Sequence, residues 1–196
     1  MKEEELIKGC INYNRNSQQV LFESYSENMM SVCFRYSKNQ EEAKKIFLTG
    51  FANVYKKIKE LVELNQKRKK DSPVISLEEW MKKQMILAAI YYLHKNKKEY
   101  FVSSTVVAKP GKTSSDEASD EQIMKSADQQ SIIDALQHLS PSYRVIYNLH
   151  ELDNYPHKEI AQLLDISEYA SKDSLIKAKF TLRKNLAHLS SKITQP

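Results

Sequence analysis

Residues 154–186 have the sequence NYPHKEIAQLLDISEYASKDSLIKAKFTLRKNL, and this stretch decides the fold of the second half of the chain. Its first part predicts a short helix over His157–Leu164, because the apolar residues recur at the three- and four-residue spacing of one helix face. Pro156 suits the start of that helix, and Asp165 follows where a helix stop requires positive φ, a geometry that Asp tolerates better than most side chains. Ser167 is then placed as the N-cap of a second, longer helix.

The second helix has two chemically different faces. A stripe that must be packed contains Ser171, Leu175, Ala178, Leu182, Leu186 and Leu189. The opposite face contains Tyr169, Asp173, Lys177, Phe180 and Lys184, flanked by Lys172, Ile176 and Arg183. Two helices joined by a tight turn, with a basic outer face on the second, predict a helix-turn-helix that can enter a DNA major groove. An amphipathic hairpin with a solvated lysine face fits the spacing equally well.

The composition indicates an all-α protein without a secretion signal. The chain has 196 residues, of which three are glycine and five proline, so long tracts are free of helix breakers. A net charge of +5 suits a nucleic-acid or acidic partner. No stretch approaches the length of a membrane span, and we expect a cytoplasmic protein with no membrane insertion. Cys10 and Cys33 lie in helical apolar patterns and are expected to be buried, reduced thiols.

The first part of the chain, residues 1–101, is predicted to be one domain of four helices. These helices are Glu3–Ile11, Ser17–Tyr36, Gln40–Leu64 and Leu77–Lys95. The fourth follows Ser76, with Glu79 three residues on, which is the pattern of a capping box. Its apolar run is wider than one face, so it should be the most buried helix of a bundle.

Basic and aromatic residues alternate along and around the fourth helix. A surface that binds single-stranded nucleic acid needs this combination, because cations attract phosphate and rings stack on bases. Solvated lysines at helix ends, with some of the aromatic residues in the core, are the other reading. The candidate residues are Trp80, Lys82, Lys83, Tyr91 and His94.

Residues 102–129 lack a helical or strand period and are rich in serine and acidic residues, which predicts a flexible linker. The second domain, residues 130–196, begins with two short helices. Apolar residues expected in their core are Ile132, Ile133, Leu136, Leu139, Tyr143, Val145, Ile146, Leu149 and Leu152. They supply the partner that the helix-turn-helix needs for packing, and about 65 residues suffice for such a unit.

Four segments together resemble the extracytoplasmic-function (group IV) sigma factors of bacterial RNA polymerase, in the form common among Bacteroidetes. They are LIKGC (6–10), LFESYSENMMSVCFRYSKNQEEAKKIF (21–47), LSPSYRVIYNLHELDNYPHKEIAQLLDIS (139–167) and SKDSLIKAK (171–179). The resemblance implies two small helical domains, like sigma regions 2 and 4, joined by a linker. It also implies binding to bacterial RNA polymerase core and to promoter DNA, and an anti-sigma factor as a candidate further partner.

The resemblance also assigns roles to residues. The minus-35 contacts would be Lys172, Asp173, Ile176 and Lys177, with Ser171 and Ser174 beside them and Tyr169 and Lys158 near the DNA backbone. On the polymerase-binding helix, Lys45, Leu48 and Thr49 stand where the family usually has Asp, Gln and Glu. Leu87 and Tyr91 stand where it has an Asn and an Asp that capture the minus-10 strand, although Tyr91 and Trp80 could still stack on a base.

Three functions therefore stay open. The first is a transcription initiation factor that binds core polymerase and reads promoter DNA. The second is a helix-turn-helix regulator that keeps only the DNA-reading domain, and the third is a protein that binds a sigma partner without initiating transcription. An enzyme is not expected, since there is no HExxH, glycine-rich phosphate loop or G-x-S-x-G. No cofactor is expected either, and His150, Glu151 and Asp153 are interpreted as solvated rather than as metal ligands.

Overall fold

A computed structural model of the chain describes residues 2–69, 72–95 and 128–193. Every regular element in these ranges is a helix, which confirms the all-α prediction. The chain divides into two compact units, Met1–Tyr92 and Leu93–Pro196. Nearly all of the predicted linker, 102–129, lies outside the described residues. Among the helices of the described ranges, none is both long enough and apolar enough to cross a membrane.

In the described residues the N-terminal unit is built on four helices, and the last of them continues beyond Tyr92. They are α1 (Glu3–Ile11), α2 (Arg15–Tyr36), α3 (Gln40–Gln66) and α4 (Leu77–Lys95). The α2 helix was predicted to begin at Ser17, but it begins at Arg15. Its cap is Asn14, whose Oδ1 accepts a hydrogen bond from the Ser17 amide at 2.9 Å. The predicted cap of α4 is confirmed, since Ser76 Oγ accepts from the Glu79 amide at 3.2 Å.

The α4 helix is buried on more than one face, as its wide apolar run predicts. At Gly50 of α3 the two helices touch so closely that a Cβ atom would lie 2.2 Å from Met85 Sδ. Burial also leaves Gln84 Oε1 without a hydrogen-bond partner among the described residues. The buried residues of α4 include Leu77, Trp80, Met81, Gln84, Met85, Ile86, Ala88, Ala89 and Ile90.

Both cysteines are buried and free, as expected. Burial raises the pKa of the Cys33 thiol to about 12 and raises the pKa of Cys10 as well. Because the thiolate is the reactive form, neither side chain is set up for redox or nucleophilic chemistry. Their role is to fill the helical core.

Between residues 128 and 193 the C-terminal unit has four α-helices and one wider turn of helix. They are α5 (Gln129–Gln137), α6 (Pro141–Tyr147), a π-helical segment (Asn148–Leu152), α7 (His157–Leu164) and α8 (Glu168–Ile193). The bounds of α7 agree with the prediction. Pro141 is the first residue of α6, after the N-cap Ser140, also as predicted.

The π-helical segment corrects the prediction that Leu152 belongs to the core. Sequence spacing treats residues after Pro141 as one regular helix, whereas the backbone widens at Asn148. Asn148 is fully buried and its Nδ2 donates to the Arg144 carbonyl at 2.8 Å. The widened turn carries Leu152 to the surface, while Leu149 stays buried.

Arg144 is buried and closes the end of α5. Its Nε donates to the Leu136 carbonyl at 3.0 Å, and its Nη2 donates to the carbonyls of Gln137 at 3.1 Å and Leu139 at 2.8 Å. The last carbonyls of a helix lack partners within the helix, and one guanidinium from α6 donates to two of them, at Leu136 and Gln137, and to the Leu139 carbonyl just beyond the helix. This contact joins the first two helices of the unit.

Candidate nucleic-acid interface

The turn between α7 and α8 has the predicted geometry. Asp165 adopts the left-handed conformation with φ 55°, and the Ile166 amide donates to the Ala161 carbonyl at 3.1 Å. Ser167 Oγ accepts a hydrogen bond from the Ala170 amide at 3.0 Å, so it caps α8. The two helices are therefore joined tightly, as in a helix-turn-helix.

The packed stripe of α8 is also confirmed. Its members are buried from the first turn of the helix to Leu186, and they pack within the C-terminal unit. The side chain of Leu189 lies outside the described residues. The buried members are Ser171, Leu175, Ala178, Leu182 and Leu186.

The opposite face of α8 is exposed and mixes cations with large apolar groups. Tyr169 is 76% exposed, Ile176 60% and Phe180 58%. Lys172 is exposed beside them, and Lys177 is partly exposed. Exposed aromatic and β-branched side chains on a basic helix can contact bases and thymine methyl groups, whereas lysines contact phosphate or guanine.

Two of the cations on this face already have acidic partners. Lys172 Nζ lies 2.8 Å from Glu168 Oε1, and Lys177 Nζ lies 2.7 Å from Asp173 Oδ2, both at four-residue spacing. The hydrogen bond from Lys172 lowers the pKa of Glu168, and the hydrogen bond to Asp173 raises the pKa of Lys177. The lysines therefore reach phosphate only by leaving or sharing these acidic partners.

Ser171 does not lie on the exposed face of α8, where the resemblance implies a place beside the minus-35 contacts. Its side chain is fully buried, and its Oγ lies 2.9 Å from Nδ1 of His157 on α7. Ser171 was predicted both on the packed stripe of α8 and beside the minus-35 contacts, and its burial agrees with the packed stripe. Of the other candidates, Lys158 is exposed and Ser174 is half-buried.

Sequence reasoning missed a polar cluster behind the helix-turn-helix. The rings of His150 and His157 stack with centroids 4.3 Å apart and an interplanar angle of 23°. Glu151 Oε1 lies 2.8 Å from His150 Nδ1, and Glu151 Oε2 lies 2.9 Å from Lys179 Nζ. Burial raises the pKa of Glu151, but the bonds from Lys179 and His150 outweigh it, and the net pKa is lowered. No sequence spacing indicated this cluster, because the π-helical segment sets the direction of His150.

Metal binding is not indicated at this cluster. Within the ranges that the structure describes, no three His, Cys, Asp or Glu side chains are grouped so that they could hold a metal ion. The cluster instead links the π-helical segment to α7 and α8 by stacking and by charged hydrogen bonds.

The three candidate polymerase contacts share one exposed face of α3. Leu48 is 67% exposed, and Lys45 and Thr49 are exposed beside it. Lys45 Nζ lies 2.7 Å from Glu41 Oε1, an interaction that raises the pKa of Lys45 and lowers that of Glu41. Thr49 Oγ1 donates to the Lys45 carbonyl at 2.9 Å, so its hydroxyl is engaged within the helix.

The candidates on α4 are divided between the core and the surface. Trp80 is only 3% exposed, so the expectation that its ring stacks on a base is wrong for this structure. A sequence pattern of alternating aromatic and basic residues does not show whether a given ring is buried or exposed. Tertiary packing determines which of the two occurs. Tyr91 is 61% exposed, Lys83 is exposed, and Lys82, Leu87 and His94 are half-buried.

An open groove of about 530 Å³ lies between α2 and the start of α4. Its walls include Arg35 and Lys82 but also Glu78 and Glu79. Asn28 Nδ2 donates to Glu78 Oε1 at 3.0 Å across it. Because both signs of charge line the groove, it does not favour a polyanion.

Comparison with known proteins identifies part of the C-terminal unit. Residues 129–175 match the family model described as Sigma-70, region 4. The match begins at α5, includes α7 and the turn, and ends within α8 before Ile176. The C-terminal unit therefore contains a sigma-70 region 4 helix-turn-helix domain. No curated protein matches the chain.

Proposed function

We propose that this protein is a sigma factor of the extracytoplasmic-function type, which binds bacterial RNA polymerase core and directs it to promoters. The observation that supports this best is the coincidence of the region 4 match with a helix-turn-helix whose outer face is exposed and basic. The factor does its work in the cytoplasm through binding alone, with no covalent chemistry and no cofactor.

In this proposal α8 lies in the major groove of the minus-35 element. Lys172 and Lys177 contact phosphate or guanine, and Asp173 accepts a hydrogen bond from a cytosine amino group. Ile176 packs against a thymine methyl group, and Tyr169 contacts the backbone at the groove edge. Lys158 and Ser174 flank this set.

The N-terminal unit is proposed to hold the polymerase through α3 and the minus-10 strand through α4. The α3 face offers an apolar group, Leu48, where the related factors are polar, so binding there depends on packing more than on charge. On α4, Tyr91 offers a ring for stacking and Lys83 a cation for phosphate. Lys82, Leu87 and His94 lie on the same helix and complete the candidate set.

Competition with the housekeeping sigma factor for purified core polymerase tests the central claim. We expect nanomolar binding at moderate salt, and Leu48→Asp should weaken it at least tenfold because a charge would be buried in the interface. Leu64→Asp is the matched control, since Leu64 is also an exposed leucine of α3 but lies four turns away. No binding by the folded wild-type protein would refute the initiation-factor proposal.

Selection of duplexes from a random library tests DNA reading separately. Ile176→Ala should relax the preference at one base position and cost about 1–3 kcal/mol for the selected duplex. Lys172→Ala should weaken binding to all duplexes alike and reduce the salt slope by about 1. Lys59→Ala on α3 is the control and should change neither quantity.

A second candidate function is a DNA-binding regulator that no longer engages core polymerase. It is favoured by Lys45, whose charge is opposite to that of the family's Asp and whose Nζ is already paired with Glu41. Selected duplexes without core binding would support this reading. An anti-sigma factor is the proposed partner for either case, with exposed Phe180 as a contact, and Phe180→Ala should weaken that complex more than DNA binding.

A further inference from the structure

His157 is the first residue of α7 and contacts two other elements of the C-terminal unit. Its Nδ1 lies 2.9 Å from Oγ of Ser171 on α8, and its ring stacks on His150 of the π-helical segment with centroids 4.3 Å apart. Ser171 is fully buried, so solvent does not replace this hydrogen bond. Three elements therefore meet at one imidazole, directly behind the recognition helix.

Charged groups act on His157 from each of these elements. They are His150 and Glu151 on the π-helical segment, Glu168 and Lys172 on α8, and Lys158 on α7, beside Glu168. Burial is the largest cause that lowers the pKa of His157 from its usual value. His150 and Lys172 lower this pKa further, while Glu168 and Glu151 oppose them. The N-terminal position on α7 also disfavours a cation there.

We propose that His157 is a positioning residue for the recognition helix, and that protonation of its ring, which is stacked on His150 and bonded to Ser171, loosens α8 from α7. A proton on His157 places a positive charge against the His150 ring and near Lys172, and both of these groups disfavour that charge. His150 is joined through Glu151 to Lys179 of α8, so a shift of its ring also changes the second connection to that helix.

The sign of the pH dependence follows from the direction of the pKa shift. The folded pKa of His157 lies below the unfolded one, so the unfolded chain takes up more protons between the two values. The stabilisation is complete above about pH 6.5, the ordinary histidine value. It is lost as the pH falls from there through the folded pKa.

The consequence for DNA rests on the proposed function. Acid adds positive charge, which strengthens non-specific attraction to phosphate. Base reading requires α8 to be oriented correctly, so loosening it weakens only the specific part of the affinity. The ratio of specific to non-specific affinity should therefore fall on acidification.

The first experiment follows the histidines of the full chain by NMR titration and its unfolding by far-UV circular dichroism between pH 7.5 and 5.5. We expect His157 to titrate below the ordinary histidine value of about 6.5. His138, which is exposed at the end of α5, provides the control position. The C-terminal transition should move to lower temperature as the pH falls across this range. His157→Gln, which keeps a hydrogen-bonding group without a titrating ring, should lose this dependence, and the control His138→Gln should retain it.

The second experiment measures binding of a selected duplex and a scrambled duplex at both pH values. The affinity ratio should fall at least threefold for the wild type and stay constant for His157→Gln. An unchanged ratio in the wild type, or equal pH dependence of unfolding in the wild type and His157→Gln, would overturn the positioning role. If selection yields no duplex at any pH, the proposed function fails, and the titration and unfolding data still decide the role of His157 in joining the helices.

Discussion

Replacing Arg144 by Met should unfold the C-terminal unit under conditions in which the N-terminal unit stays folded. The guanidinium donates to three backbone carbonyls at the end of α5, at 2.8–3.1 Å. The Met side chain is about as long as that of Arg, but it is apolar and donates no hydrogen bond. The Leu136 carbonyl also accepts from the Leu139 amide at 3.1 Å, so the substitution leaves the carbonyls of Gln137 and Leu139 without this donor, the first partly buried and the second buried.

The magnitude is large for a unit of this size. A hydrogen bond from a charged group contributes about 1.5 kcal/mol or more, so the loss of the bonds to Gln137 and Leu139 should cost about 3 kcal/mol. A unit of about 65 residues has a total stability of roughly 3–10 kcal/mol. With a urea slope of about 1 kcal/mol per molar, the unfolding midpoint of this unit should fall by about 3 M. Arg144→Lys, which retains a cation but not the planar fork, should be intermediate.

The chain carries its own internal control for this measurement. Trp80 is the single tryptophan and is buried in the N-terminal unit, so its fluorescence reports that unit alone. Circular dichroism reports the unfolding of both units. Only the transition of the C-terminal unit should shift to a lower urea concentration. Lys184→Met, at an exposed position on α8, should leave both signals unchanged. A shift below about 0.5 M for Arg144→Met would refute the role assigned to the guanidinium.

Three further predictions concern packing and chemistry. Gly50→Ala should destabilise the N-terminal unit by about 1–3 kcal/mol, because its Cβ would overlap Met85 Sδ; urea titration of Trp80 fluorescence measures this, and Met85→Val in the same chain should recover part of the loss. Cys10 and Cys33 should not react with a disulfide reagent at pH 8 until urea is added, whereas fast labelling of the native protein would contradict their burial. Asp165→Val should destabilise the C-terminal unit by about 1–3 kcal/mol because a β-branched residue strains at φ 55°, whereas Asp165→Gly should cost less; equal midpoints for the two variants would show that the turn is not strained.

Helical periodicity predicted the elements that carry the candidate DNA interface. The bounds of α7, the left-handed Asp165 and the cap at Ser167 all follow from local rules, since each depends on residues within one turn. The packed stripe of α8 follows in the same way. Local rules placed the start of α2 too late. Ser17 was predicted to begin this helix, whereas Asn14 caps it.

Features that depend on distant partners were not predictable. The π-helical segment has no sequence signature, so the exposure of Leu152 and the direction of His150 escaped prediction. Arg144 looked like any arginine of a short helix, because its acceptors belong to another helix. The burial of Trp80 and the bond between Ser171 and His157 likewise arise from packing, which periodicity places on a face but does not resolve into contacts.

The paired charges on the outer face of α8 affect the range over which DNA can sense this surface. A lone lysine acts at long distance as a monopole, but Lys172 with Glu168 and Lys177 with Asp173 act as two small dipoles. The field of a dipole falls off faster with distance, so this face attracts bulk DNA weakly and gains most of its interaction at contact. Such a surface should bind non-specific sequences weakly. Its association with DNA should also be slower, and less sensitive to salt, than the number of lysines alone indicates.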